Sequence, residues 1–196
     1  MDKETKAAKE SFLAYPSTDL TPALQDYAAT HLNETEEAKV KGLQAFNEIL
    51  QKDFEVPFCE DIYILCFLRS KKFDVKKAAE LFYRGTKFVD SHRNFFERPN
   101  SSEVVRRFLQ ANVIGFLSYR DNKSRAILYL RAEAWDPDQI SADEAVFGAA
   151  ISIFSAIENP VNQMAGMIII TDLKHLKLQQ IIAFSSWIVL GTQALQ

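Results

Sequence analysis

Residues 61–79 read DIYILCFLRSKKFDVKKAA: seven uninterrupted apolar residues from Ile62 to Leu68, a burst of positive charge, then apolar residues again. By length alone the run suits a buried strand or a buried helix. Its ends separate the two. Asp61 precedes it and Arg69 to Lys72 follow, which complements the dipole of a helix. The reading is a helix buried on most sides. Asp74 has the short acceptor side chain of an N-cap, and Val75, Ala78, Phe82, Gly85 or Thr86, and Val89 form one stripe of a second helix. Arg69, Lys71, Lys72, Lys76 and Lys77 then lie at a helix-to-helix turn. Such a cluster is either plain solvated surface or a contact for something anionic.

Upstream, residues 1–32 carry Pro16, Pro22 and weak periodicity, and read as an arm. Asn33 with Glu36 has the form of a capping box, Glu34, Glu36 and Glu37 suit a helix N-terminus, and Val40, Leu43, Phe46 or Asn47, and Leu50 follow at helical spacing up to Pro57. A short helix is expected from about Glu103 to Gln110. Beyond Asn112 the pattern changes. VIGFLSYR, the polar turn DNKS and RAILYLRA read as a hairpin, with strands at about 113–119 and 125–131. Ser141 and Glu144 form a second capping box, opening a helix that Asn159-Pro160 ends. GMIIITDL, with a strand at 166–171, is continuously apolar, as strands inside a parallel sheet are. Strand, helix, strand predicts a right-handed crossover. The expected class is α+β: an arm at 1–32, a helical unit at 33–110 and an α/β unit at 111–196.

Composition bounds the function. A chain of 196 residues that is 47% hydrophobic supports a globular core. A net charge of −3 argues against a nucleic-acid binder, so any attraction to anions is local. Cys59 and Cys66 share no CxxC spacing, which predicts free thiols in a reducing, cytoplasmic setting. No stretch reaches the roughly 18 apolar residues of a membrane span. Catalysis is not expected. The chain has no GxGxxG, P-loop or GxSxG, and His31, His92 and His175 have no ligand spacing. Asp172 reads as a turn cap, and no metal or cofactor is implied.

Three segments in order, LCFLRSKKFDVKKAAELF, IGFLSYRDNKSRAILYLRAEAWDP and GMIIITDLKHLKL, resemble the CRAL-TRIO lipid-binding family over about Glu34 to Leu178. The resemblance implies non-enzymatic binding and intracellular transfer of one hydrophobic molecule (a retinoid, tocopherol or phospholipid), with phosphoinositide-assisted contact at membranes. The helix at 142–157 is apolar on every side, so it is either a plain core helix or one with a face on a cavity. By family position the expected lining is Phe147, Ile151, Phe154 and Ser155 of that helix, Met167, Ile169 and Thr171 of the strand, and Phe184 beyond. Ser152 or Ser155 would orient a polar head group. Arg69, Lys71 and Lys72 are the expected head-group contacts, Arg69 foremost because its fork suits a phosphate. After Ser185 the text departs from the family, whose later strands, gate helix and second basic cluster are expected to be missing. The competing expectation is a regulatory or interaction protein that has lost the pocket.

Overall fold

The computed structural model describes residues 13–54 and 59–182. These include eight α-helices between Pro22 and Ala165, one 3-10 turn and a three-stranded sheet, and residues 178–182 are also helical. The α+β class read from the sequence holds. The chain divides into two compact units that interleave in sequence: Ser17–Asp90 with Ala156–Gly166, and Met1–Pro16 with Ser91–Ser155 and Met167–Gln196. The segment 156–166 clusters with the first unit.

The first unit is helical. Part of the expected arm is a helix, α1 (Pro22–His31), because Thr21 caps it through the Leu24 N–H and Pro22 sits at its first turn, where no donor is needed. Helix α2 (Glu36–Asp53) starts two residues later than a box on Asn33 requires. Thr35 is the cap, accepting from Ala38 N at 3.0 Å, while Asn33 has a positive φ and donates to the Lys72 carbonyl. Helix α3 (Asp61–Ser70) is the quoted segment, and α4 (Val75–Ser91) follows it.

Phe46 and Leu50 of α2, Ile64 and Leu68 of α3, and Ala78 and Ala79 of α4 make the core of this unit. Phe82 closes it edge-on to Phe46 and Phe67 at 5.8 and 5.2 Å. The stripe expected on α4 reaches Phe82 but not Val89, which is exposed, and Val40 of α2 is also exposed. Between α3 and α4, Lys72 and Phe73 both adopt φ near +55°, a strained state for residues with a Cβ. The strain is held by the Phe73 N–H bond to Leu68 O at 2.8 Å and by the Phe73 ring against Gly42.

The second unit begins with α5 (Arg93–Phe96) and α6 (Ser101–Gln110). Strand β1 (Ile114–Phe116) is shorter than expected and pairs antiparallel with β2 (Ala126–Arg131). The 3-10 turn Ala132–Ala134 leads to α7 (Ala142–Ile157), then α8 (Pro160–Ala165) of the first unit, then β3 (Met167–Asp172). Asn159-Pro160 does not end the helical path. Asn159 caps α8 by accepting from Val161 N at 2.9 Å.

The sheet order is β1-β2-β3, and β3 runs parallel to β2 with Leu128 opposite Ile169 and Leu130 opposite Thr171. The crossover expected from strand, helix and strand is present. Phe108, Val113, Ile114, Leu128, Trp135, Ile140 and Ala145 form the core, with Ala149 and Ile153 of α7 packed against it. The capping box on Ser141 is present: Glu144 N–H donates to its Oγ at 3.3 Å, and Ser141 N–H donates to the Glu144 carboxylate at 3.0 Å.

Candidate ligand cavity

A cavity of about 400 Å³ lies in the sheet-containing unit. Its size falls within the range that takes small organic ligands, about 300–1,000 Å³. Leu130 and Thr171, register partners on β2 and β3, form one wall. Ala145 and Ala149, one helical turn apart on α7, form another, and their small side chains leave the space open. Phe108 and Trp135 close the back. Trp135 is fixed because its indole N–H donates to Ile140 O at 2.8 Å. Leu173, Leu176 and Ile181, beyond β3, complete the lining with strongly exposed apolar side chains.

Of the residues expected to line a cavity, Thr171 does so. Met167 and Ile169 share its face of β3, opposite Ala126 and Leu128, but lie outside the lining. Phe147, Ile151 and Phe154 follow at i, i+4 and i+7 and define a different stripe of α7 from Ala145 and Ala149. Phe147 is buried edge-on to Phe95 at 5.7 Å, with the Arg98 guanidinium 4.9 Å from its ring. Phe154 is half exposed, 6.5 Å from Phe96, and Ser155 is exposed. The Ser152 hydroxyl donates to Gly148 O at 2.7 Å, so its proton is committed to the helix. Phe184 lies outside the described residues.

The turn between α3 and α4 also requires a correction. Arg69 is not a head-group contact. Its side chain is 5% exposed and grips Glu34, itself 4% exposed, through two bonds of 2.8 and 2.6 Å, with its remaining arm on Gln163. The fork that suits a phosphate is already filled by a carboxylate. Lys71 is half-buried and Lys72 is exposed.

Groups able to do chemistry are elsewhere or occupied. Burial pushes the Cys59 and Cys66 thiols up, away from the reactive thiolate. The Asp172 carboxylate accepts from Lys174 N at 2.9 Å, as a turn cap does. Among the described residues no group of His, Cys, Asp or Glu is placed to hold a metal ion, and no helix is long and apolar enough to cross a membrane.

Trp135 was signalled by its Trp-Asp-Pro context, whereas Phe108 and Ala145 were not singled out. Gln180 left no signal: it is buried because its amide donates to Ala132 O and Trp135 O at 2.7 and 2.6 Å.

The fold and this site define an α+β protein with a ligand-sized cavity walled by apolar side chains. Residues 110–190 match the CRAL/TRIO domain, so this part of the chain is similar to that domain. Over 177 residues it is 25% identical to an alpha-tocopherol transfer protein-like protein of Mus musculus, covering 86% of this chain and 50% of that protein. It is 26% identical to clavesin-1 of Rattus norvegicus over 164 residues, 82% of this chain and 46% of that one. The human alpha-tocopherol transfer protein-like protein is 23% identical over 171 residues, 86% of this chain and 50% of the relative. The chain thus spans about half the length of the curated relatives it matches.

Proposed function

We propose that this chain binds one hydrophobic small molecule without covalent chemistry and carries it between membranes. The cavity supports this reading: about 400 Å³ lined mainly by leucine, alanine and aromatic side chains. Water in such a space has few partners, so an apolar occupant gains free energy by replacing it. At about 0.8 kcal/mol per buried CH₂, each added methylene tightens binding about fourfold until the space is full.

The related alpha-tocopherol transfer protein-like proteins support a lipid as cargo, with a retinoid, tocopherol or phospholipid as the candidates. Lys71 and Lys72 remain the docking residues of this reading. Each contributes about 1 kcal/mol near an anionic phosphoinositide surface, and salt weakens that contribution. The carrier is cytoplasmic, with peripheral and transient membrane contact, and it needs no cofactor.

Native mass spectrometry of the full chain after exposure to a lipid extract tests the cargo. A one-to-one adduct that survives desalting is expected. A folded chain that takes up no lipid, and whose affinity for alcohols does not rise with chain length, would overturn the reading. Lys71→Glu with Lys72→Glu should weaken binding to phosphoinositide vesicles about tenfold or more at low salt; unchanged binding would remove the docking role.

A further inference from the structure

The two edges of the sheet differ. Beyond β1, residues 13–15 run alongside the chain that continues the strand: Ala14 bridges Tyr119, Tyr15 N–H donates to Ser118 O at 3.0 Å, and Arg120 N–H donates to Leu13 O at 2.9 Å. The edge beyond β3 has no such cover among the described residues, where β3 pairs with β2 alone. Its six residues, at about 3.3 Å each, give an edge about 20 Å long whose outward N–H and C=O groups have no ladder partner there. Both faces of the strand are open as well: Ile169 and Ile170, on opposite faces, are 55% and 52% exposed. Edge strands are commonly protected by a proline, a lysine or a bulge. Strand β3, MIIITD, contains none of these, and its register with β2 is unbroken.

We infer that the β3 edge docks a second copy of this chain, antiparallel about a two-fold axis, so that two three-stranded sheets become one. The argument for a like partner is that the strand complements itself. In a two-fold antiparallel pair each residue meets one of the same parity, because only alternate residues turn their N–H and C=O to a given edge. With Ile169 on the axis it faces its own copy, Ile168 faces the second copy's Ile170, Met167 faces its Thr171 and Gly166 faces its Asp172. Apolar side chains then meet apolar ones or a threonine methyl, and the one charged side chain meets a glycine, not a like charge. Moving the axis to Ile170 or Thr171 sets Asp172 opposite Ile168 or Ile170 instead. The drive is the edge hydrogen bonds and the burial of Ile169 and Ile170, and it is independent of the carrier reading.

Sedimentation equilibrium of the full chain over rising concentration is expected to show the mass doubling and then holding. High salt should not reverse it, since no ion pair joins the two edges. Ile169→Lys sets two like charges face to face on the axis and should return the chain to a monomer with its far-UV circular dichroism unchanged. Under mild oxidation Ile169→Cys should give a covalent dimer, because opposed Cβ atoms about 4.5–5.5 Å apart are within reach of a disulfide after a small adjustment. Val40→Cys, at an exposed position of the helical unit, should not. If Ile169→Lys loses its fold, the cross-link decides alone. A monomer at every concentration, a dimer that a folded Ile169→Lys leaves intact, dissociation by salt, open-ended aggregates, or cross-linking of Val40→Cys equal to that of Ile169→Cys would each overturn the inference, and none of them touches the carrier reading.

Discussion

Replacing Arg69 by Met should be among the most damaging single changes in the helical unit. The side chain is of similar length, so the change removes charge and hydrogen bonds more than volume. What remains is the Glu34 carboxylate, 4% exposed, stripped of bonds at 2.8 and 2.6 Å. Breaking one side of a buried pair costs about 3–5 kcal/mol, because the other charge stays buried without compensation. For a chain of this size that corresponds to a fall in Tm of about 6–20 °C.

The double variant Glu34→Leu, Arg69→Met separates this mechanism from a simple packing defect. With both charges gone the site becomes apolar, and most of the loss should return. About 1–3 kcal/mol should persist, since the Gln163 side-chain oxygen also loses its Arg69 donor. Denaturant titration followed by far-UV circular dichroism gives the three free energies, with Lys72→Met as a surface control within about 0.5 kcal/mol of the parent. The reasoning fails if Arg69→Met loses less than about 1 kcal/mol, or if the double variant is no more stable than the single one.

Three further outcomes follow from the sheet-containing unit. A Cβ at Gly148 would stand 2.4 Å from Cδ1 of Phe108, so Gly148→Ala should destabilise by about 1–3 kcal/mol and disturb the cavity's back wall. A gain of the ordinary helix preference of Ala over Gly, about 1 kcal/mol, would contradict that geometry. Leu128→Ala, at a position with no exposed surface, should cost about 2–5 kcal/mol by chemical denaturation; a loss under about 1 kcal/mol would mean the core there is loose. Burial alone would raise the Glu144 carboxyl, but the Ser141 backbone and hydroxyl bonds and the Arg107 guanidinium outweigh it and hold it below the usual carboxylate range. A depressed carboxylate contributes stability above its unfolded value and loses it as pH falls through the folded one. Glu144→Gln should therefore flatten the acid limb of the stability–pH curve, and an unchanged limb would remove the carboxylate from it.

Much of the architecture was legible because its causes are local. The Ser141–Glu144 box and the Asp74 cap act within four residues, and Asp74 Oδ1 does accept from Lys77 N at 3.2 Å. The charges at the ends of the Ile62–Leu68 run declared a helix, but not one buried on most sides, since Ile62 and Tyr63 are exposed; the alternation from apolar strand to capped helix to apolar strand declared the crossover. The period of two put Met167, Ile169 and Thr171 on one face of β3, and of the three only Thr171 borders the cavity.

Packing decided the rest. Helix α7 is apolar all round, so its sequence has no preferred face, and only the approach of β2 and β3 makes Ala145 and Ala149 the cavity wall in place of Phe147, Ile151 and Phe154. Arg69 read as a surface cation because nothing near it in sequence could neutralise it, yet Glu34 and Gln163, 35 and 94 positions away, enclose it. Periodicity gives a helix its faces. Which neighbour covers each face is set by contacts far apart in the chain, and there an Arg becomes core.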